Sequence, residues 1–157
     1  MLKPAILYKD EIERKFNEQL YTQDFFYYAG YDGATSIPEI KHYDFVFQYA
    51  IVDKDKPVGY FSYSLNTISD TINNFGLYSF DRGNPIIGRD IIRKMKELVN
   101  SHHRVEWHMI GGNPVKKHYD KFCHRYGGNV VKLHEAVRTP SGKYVDEYIY
   151  EIIYRKE

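Results

Sequence analysis

Residues 70–99 read DTINNFGLYSFDRGNPIIGRDIIRKMKELV, and this stretch decides the fold. Its first third is rich in β-branched and aromatic residues and predicts a strand over 70–80. Asp81-Arg82-Gly83-Asn84-Pro85 follows, a cluster that no strand or helix interior tolerates. From Ile86 the period changes. Ile87, Ile91, Met95 and Leu98 share one helical face, with Ile92 and Val99 beside them. Arg93, Lys94, Lys96 and Glu97 supply the polar face. Strand, glycine-containing turn and amphipathic helix in succession form a crossover, so the next strand can lie parallel to the first.

That next strand is Arg104-Val-Glu-Trp-His-Met-Ile110, which alternates apolar and polar residues. Gly111-Gly-Asn-Pro114 follows, with Pro114 predicted at the first position of a helix. Val115, Tyr119, Phe122 and Tyr126 form that helix's stripe, and Gly127-Gly128 ends it. Residues 129–138 and 143–154 are strands joined at Thr139-Pro-Ser-Gly142, a closing hairpin. Upstream, residues 43–53 and 58–65 make a hairpin around Asp53-Lys-Asp-Lys-Pro57. Residues 10–20 predict an amphipathic helix capped by Asp10, with Ile12, Phe16 and Leu20 on one stripe. Residues 23–36 predict a short helix or ordered loop ending near Gly33. The sum is a mixed α/β sheet in a single domain over residues 1–157, a size that can bury a core without staples.

Composition removes several functions. Twenty-two basic residues against 21 acidic leave a net charge of +1, which argues against a nucleic-acid partner. No apolar run is long enough to cross a bilayer, so no membrane is expected. The stretch after Met1 is broken by Lys3 and Pro4 and is too short for a signal peptide, which predicts a cytoplasmic protein. Cys123 is the only cysteine, so neither an internal disulfide nor a cysteine zinc site can form. The seven histidines fall in no metal-binding spacing. Aromatic residues make up 17% of the chain, with 16 tyrosines, and suit half-wet strands or a ring-lined cleft.

The element order, with a glycine-containing turn between a strand and its following helix, resembles the GNAT acyltransferase superfamily. The resemblance covers nearly the whole chain and is strongest from residue 43 to 154. It implies a mostly antiparallel sheet with one splayed pair of parallel strands, flanked by helices, and acetyl-CoA as acyl donor. The pyrophosphate loop falls on Arg82-Gly-Asn-Pro-Ile-Ile-Gly88-Arg89. With Gly88 as the last glycine of the superfamily pattern, the first glycine falls on Ile86 and the basic position on Gly83, so Arg82 and Gly83 are offset by one residue, and Asp90 adds a carboxylate to the first helical turn. Backbone N–H groups at a helix N-terminus suit an anion. The cofactor-binding residues so implied are Leu77, Tyr78, Ser79 and Phe80 on the strand, Arg82, Gly83, Ile87, Gly88 and Arg89 in the loop, and Asn113 at the next strand end.

The same resemblance makes Tyr119 the donor of a proton to the leaving thiolate. Read from its stripe alone, Tyr119 is a core aromatic. The strand before the loop carries no carboxylate. Glu106 and His108 share one face of the following strand and can serve as base through water, or simply form an outward polar face. The Phe25–Tyr31 segment falls where an acceptor wall is expected. The reading is an N-acetyltransferase acting on a small-molecule or peptide amine, as a monomer or homodimer. Its alternative is a non-catalytic binding or regulatory module on the same fold with a weakened or lost CoA site.

Overall fold

A computed structural model of the protein describes residues 1–30 and 36–155. Strand β1 (Leu2–Pro4) and a 3₁₀ turn precede α1 (Lys9–Gln19) and α2 (Gln23–Ala29). Then come β2 (Val46–Asp53), β3 (Lys56–Asn66), β4 (Thr71–Ser79), α3 (Pro85–Ser101), β5 (Arg104–Ile110), α4 (Lys116–Arg125), β6 (Asn129–Arg138) and β7 (Tyr144–Ile153). The strands form one seven-stranded sheet in the order β1-β2-β3-β4-β5-β7-β6. Among the described residues, only β4 and β5 run parallel. The mixed α/β fold with one parallel pair is the fold expected from the sequence.

Details differ from expectation for local reasons. β1 spans three residues, too few to show a period, and finds its place by pairing Leu2 with Ile51. Tyr8, not Asp10, caps α1, and Asp10 sits in the first turn, where a carboxylate favours the dipole. α4 begins at Lys116 rather than Pro114, because Asn113 Oδ1 accepts the Val115 N–H at 3.1 Å and makes a turn first. β7 threads between β5 and β6, pairing with both.

The two sheet faces bury separate cores. Ile87, Ile91, Met95 and Leu98 of α3, with Phe122 and Cys123 of α4, cover Phe61, Ile72, Trp107 and Tyr150. Ile12 and Phe16 of α1, with Phe25 and Ala29 of α2, cover Ala50, Tyr60 and Tyr78 on the opposite face. Each large apolar side chain so buried contributes about 1.5–3 kcal/mol.

The parallel pair is short. Only Thr71↔Arg104 and Ile72↔Val105 are in register. At Asn74 the φ angle is +52°, and β4 gains a residue against β3 between the Ser64↔Asn73 and Ser62↔Gly76 pairs. Asparagine tolerates that left-handed conformation, and such a bulge bends its strand. Beyond it β4 and β5 diverge, leaving a gap in mid-sheet. Among the described residues, no helix is long and apolar enough to cross a membrane.

Candidate functional site

A cavity of about 510 Å³ occupies the gap. One wall is the end of β4, from Leu77 to Ser79, and the loop Arg82-Gly83-Asn84. A second is the α3 face Ile87, Gly88, Ile91 and Met95. The third is Asn113, Val115, His118, Tyr119 and Phe122. Asp24, Tyr27 and Tyr28 of α2 close it from the other sheet face. The cavity therefore passes between the strands and touches helices from both layers.

The loop after β4 is held firmly. Asn84 caps α3, its Oδ1 accepting the Ile86 N–H at 3.0 Å. Its Nδ2 donates to Asp81 at 2.9 Å and to Asp53 at 3.2 Å. Gly83 has φ +84°, which glycine takes without cost. Pro85 has no N–H, and the Ile87 N–H bonds Asn84 O at 3.3 Å. The first-turn amides are therefore largely committed, and Arg82 is the cation at this end of the cavity. Its guanidinium is ion-paired with Asp24 of α2.

Gly88 is an exposed glycine inside a helix, which costs about 0.5–1 kcal/mol relative to alanine. A Cβ there would meet nothing within 4 Å, nor would one on Gly83. Neither glycine is needed to make room for the protein itself. The Ser79 hydroxyl is buried without a hydrogen-bond partner among the described residues. Asn113 has its Oδ1 committed to Val115, so donation from Nδ2 is what it can still offer. These features fit a phosphate-bearing donor with an amide-containing arm.

Asp90 does not oppose an anion. Its side chain is 2% exposed, paired with the Met1 ammonium and with Arg89 at 3.1 Å. Burial raises its pKa, but these two cations hold it below the usual carboxylate range.

Tyr119 belongs to both readings of its stripe. Its ring packs edge-on against Trp107 at 5.7 Å and Tyr150 at 5.8 Å. It also lines the cavity. Burial pushes its pKa up to about 12, so the hydroxyl stays protonated at neutral pH. Tyr150, by contrast, donates its hydroxyl to Asp120 at 2.7 Å.

Of the residues expected from the sequence, Leu77, Tyr78, Ser79, Arg82, Gly83, Ile87, Gly88, Asn113 and Tyr119 come together around the cavity. Phe80, Arg89 and Glu106 do not. Phe80 packs edge-on against Phe16 at 5.1 Å. Arg89 lies over Asp90, and Glu106 pairs with Arg104 at 2.7 Å. In the expected aromatic wall, Tyr27 and Tyr28 line the cavity and Phe25 is core. Tyr31 lies outside the described residues. Asp24, Asn84 and His118 were not anticipated as wall residues; only the Asn-Pro step at 84–85, a capping signal, pointed to one of them.

No family model and no curated protein matches the sequence. Solved structures do match. An N-acetyltransferase from Staphylococcus aureus Mu50 superposes with a TM-score of 0.71 over 98% of this chain and 97% of its own, at 13% identity. The fold is that of the GNAT acetyltransferases. A protein of Acinetobacter baylyi ADP1 assigned as an acetyltransferase gives a TM-score of 0.70 over 100% of this chain and 93% of its own, at 12% identity. The spermidine/spermine N-acetyltransferase of Vibrio cholerae gives 0.56 over 92% of this chain and 74% of its own, at 16% identity. Identities this low carry the fold and not the chemistry.

Proposed function

We infer that this GNAT-fold chain, read as a single domain over its 157 residues, is an N-acetyltransferase. Its donor is acetyl-CoA and its acceptor an amine on a small molecule or peptide. The observation that carries the reading is the cavity in the β4–β5 gap, with Arg82, Gly83 and Gly88 at one end and Tyr119 in its wall. Arg82 and the amides around Gly83 would hold the pyrophosphate, and Gly88 would let it approach. The unpaired edge of β4 from Leu77 to Ser79 would pair with the pantetheine arm, and Asn113 would donate to it. Acetyl-CoA supplies an activated thioester. Main-chain N–H groups of β4 would polarise its carbonyl, and the Tyr119 hydroxyl would donate a hydrogen bond to the departing sulfur. At a pKa of about 12 that hydroxyl is a firm donor and a reluctant acid.

The Asp24–Arg82 pair and the committed amides of α3 favour a second reading, a binding module with a weak donor site. A thermal-shift titration with CoA and acetyl-CoA tests both. At a hundredfold excess over Kd, binding stabilises by about 2.7 kcal/mol, a rise of roughly 5–10 °C in Tm for a domain of this size. No shift from either ligand in folded protein would sink the acetyl-transfer reading and leave a module whose donor site is lost. A shift without acetyl transfer to any amine would favour the module.

A further inference from the structure

We propose that Asp24 is the carboxylate that recognises the acceptor, and that Arg82 masks it until the donor's pyrophosphate draws the guanidinium away. The acceptor that fits is an amine with a second positive charge, taken after the donor. This deepens the acetyl-transfer reading and rests on it.

Asp24 is the only carboxylate among the described residues that line the cavity. It stands on α2, which packs on the sheet face opposite α3. With the donor loop leading into α3, the side left for the acceptor is the one beneath α2. Asp24 and Tyr28 are four residues apart on that helix, neighbours with Cβ atoms about 5–6 Å apart. Tyr28 in turn reaches β4, since a Cβ on Gly76 would stand 3.0 Å from its ring. Gly76 precedes Leu77, where the acetyl-transfer reading puts the thioester. One turn of α2 therefore separates Asp24 from the reacting end. A linear diamine spans that distance, with one nitrogen at the thioester and the other at Asp24. Tyr27 and Tyr28 line the stretch between, and aromatic rings attract cations.

In the unliganded chain this carboxylate is already taken. Its partner among the described residues is Arg82, the cation on which the donor's phosphates depend. The first-turn amides of α3 cannot replace that cation, because Asn84 occupies them. Asp24 and a pyrophosphate thus compete for one guanidinium. The Arg82 side chain is 63% exposed and that of Asp24 is 32% exposed, and ion pairs so open to water are weak enough to exchange. A pyrophosphate carries more charge than a carboxylate and matches the guanidinium fork equally well, so it wins the exchange. The bared carboxylate then lies beside the donor's phosphates and feels their repulsion, which an arriving ammonium relieves. His118, the wall's other basic residue, stands on α4 in the opposite layer. Donor first and acceptor second follows from this exchange, and the coupling is reciprocal.

The test begins with binding alone. Isothermal titration uses CoA, which carries the pyrophosphate and no acetyl group, and cadaverine, a linear diamine. Saturating CoA should tighten cadaverine binding by about two- to fivefold, and cadaverine should tighten CoA by the same factor. Asp24→Asn should bind CoA about two- to fivefold more tightly, because the competitor is gone, and CoA should no longer improve cadaverine binding. Arg82→Gln leaves Asp24 unmasked and should bind cadaverine without CoA as tightly as the natural chain does with it. Melting temperatures establish that both variants are folded. Thiol release from acetyl-CoA then compares cadaverine with pentylamine, the same chain bearing a single amine. Asp24→Asn should raise KM for cadaverine by about tenfold, leave kcat nearly unchanged and leave pentylamine unaffected, the pattern of a lost binding contact. Weaker CoA binding by Asp24→Asn would make Asp24 a support for Arg82 and overturn the proposal. So would a coupling or a preference for cadaverine that survives Asp24→Asn, or equal losses for both amines. A natural chain that shows the coupling but acetylates neither amine would remove the transfer reading and the acceptor role with it, while the masking of Asp24 would stand. A natural chain that binds no CoA would overturn both.

Discussion

Tyr119 shows how one residue can carry two signals. Its place on the 115, 119, 122, 126 stripe gave the core, and the same stripe turned out to line the cavity. No hydrogen bond ties its hydroxyl to another described residue, so Tyr119→Phe should keep the ring contacts with Trp107 and Tyr150 and leave the melting temperature nearly unchanged. Acetyl transfer should fall by roughly ten- to a thousandfold while acetyl-CoA affinity holds. A full-rate variant would hand the role to water, and a large fall in Tm would make Tyr119 only a core residue. Asp24 had no comparable signal. It meets Arg82 across 58 positions of sequence, and nothing local to either residue announces the contact.

At the scale of elements, what was legible was what repeats within a few residues. The α3 stripe, the β2–β3 hairpin and the β6–β7 hairpin all follow from local period and turn residues. Which strand lies beside which is a matter of distant pairing, so the insertion of β7 between β5 and β6 was not readable. The start of α3 can be tested directly. Gly88 is helical, borders the cavity and would carry a side chain without a clash. Gly88→Glu should therefore fold at least as well as the natural chain, because glycine is the poorer helix former by about 0.5–1 kcal/mol. Its carboxylate would nonetheless repel a pyrophosphate, so the CoA melting shift should shrink or vanish. An unchanged shift in a folded variant would make the loop a plain connector.

Across the whole molecule, several carboxylates are held in their charged form by contacts that acid would break, three of them around β4, β5, β6 and β7. Asp70 is held below the usual carboxylate range by His102 and the His103 N–H. Asp146 is held down by the Glu135 N–H and Lys132, and Glu151 by Asn129 and Arg104. Asp70 ties the start of β4 to the turn before β5, Asp146 ties β7 to β6, and Glu151 ties β7 to β6 and β5. A carboxylate whose folded pKa is depressed stabilises above its unfolded value and loses that contribution as pH falls through the folded one. Tm should thus be flat near neutrality and drop below about pH 4. Combining Asp70→Asn, Asp146→Asn and Glu151→Gln should flatten the drop, measured as Tm against pH; a slope as steep as that of the natural chain would place the acid sensitivity elsewhere. The widening gap between β4 and β5 has a different consequence. Past Ile72 and Val105 the two strands share no rungs, so this ladder is built with steps missing. With acetyl-CoA as the donor, the pantetheine arm is the piece that fits. The protein would then be whole as a sheet only while it holds its donor, and would come apart by those same rungs at every turnover.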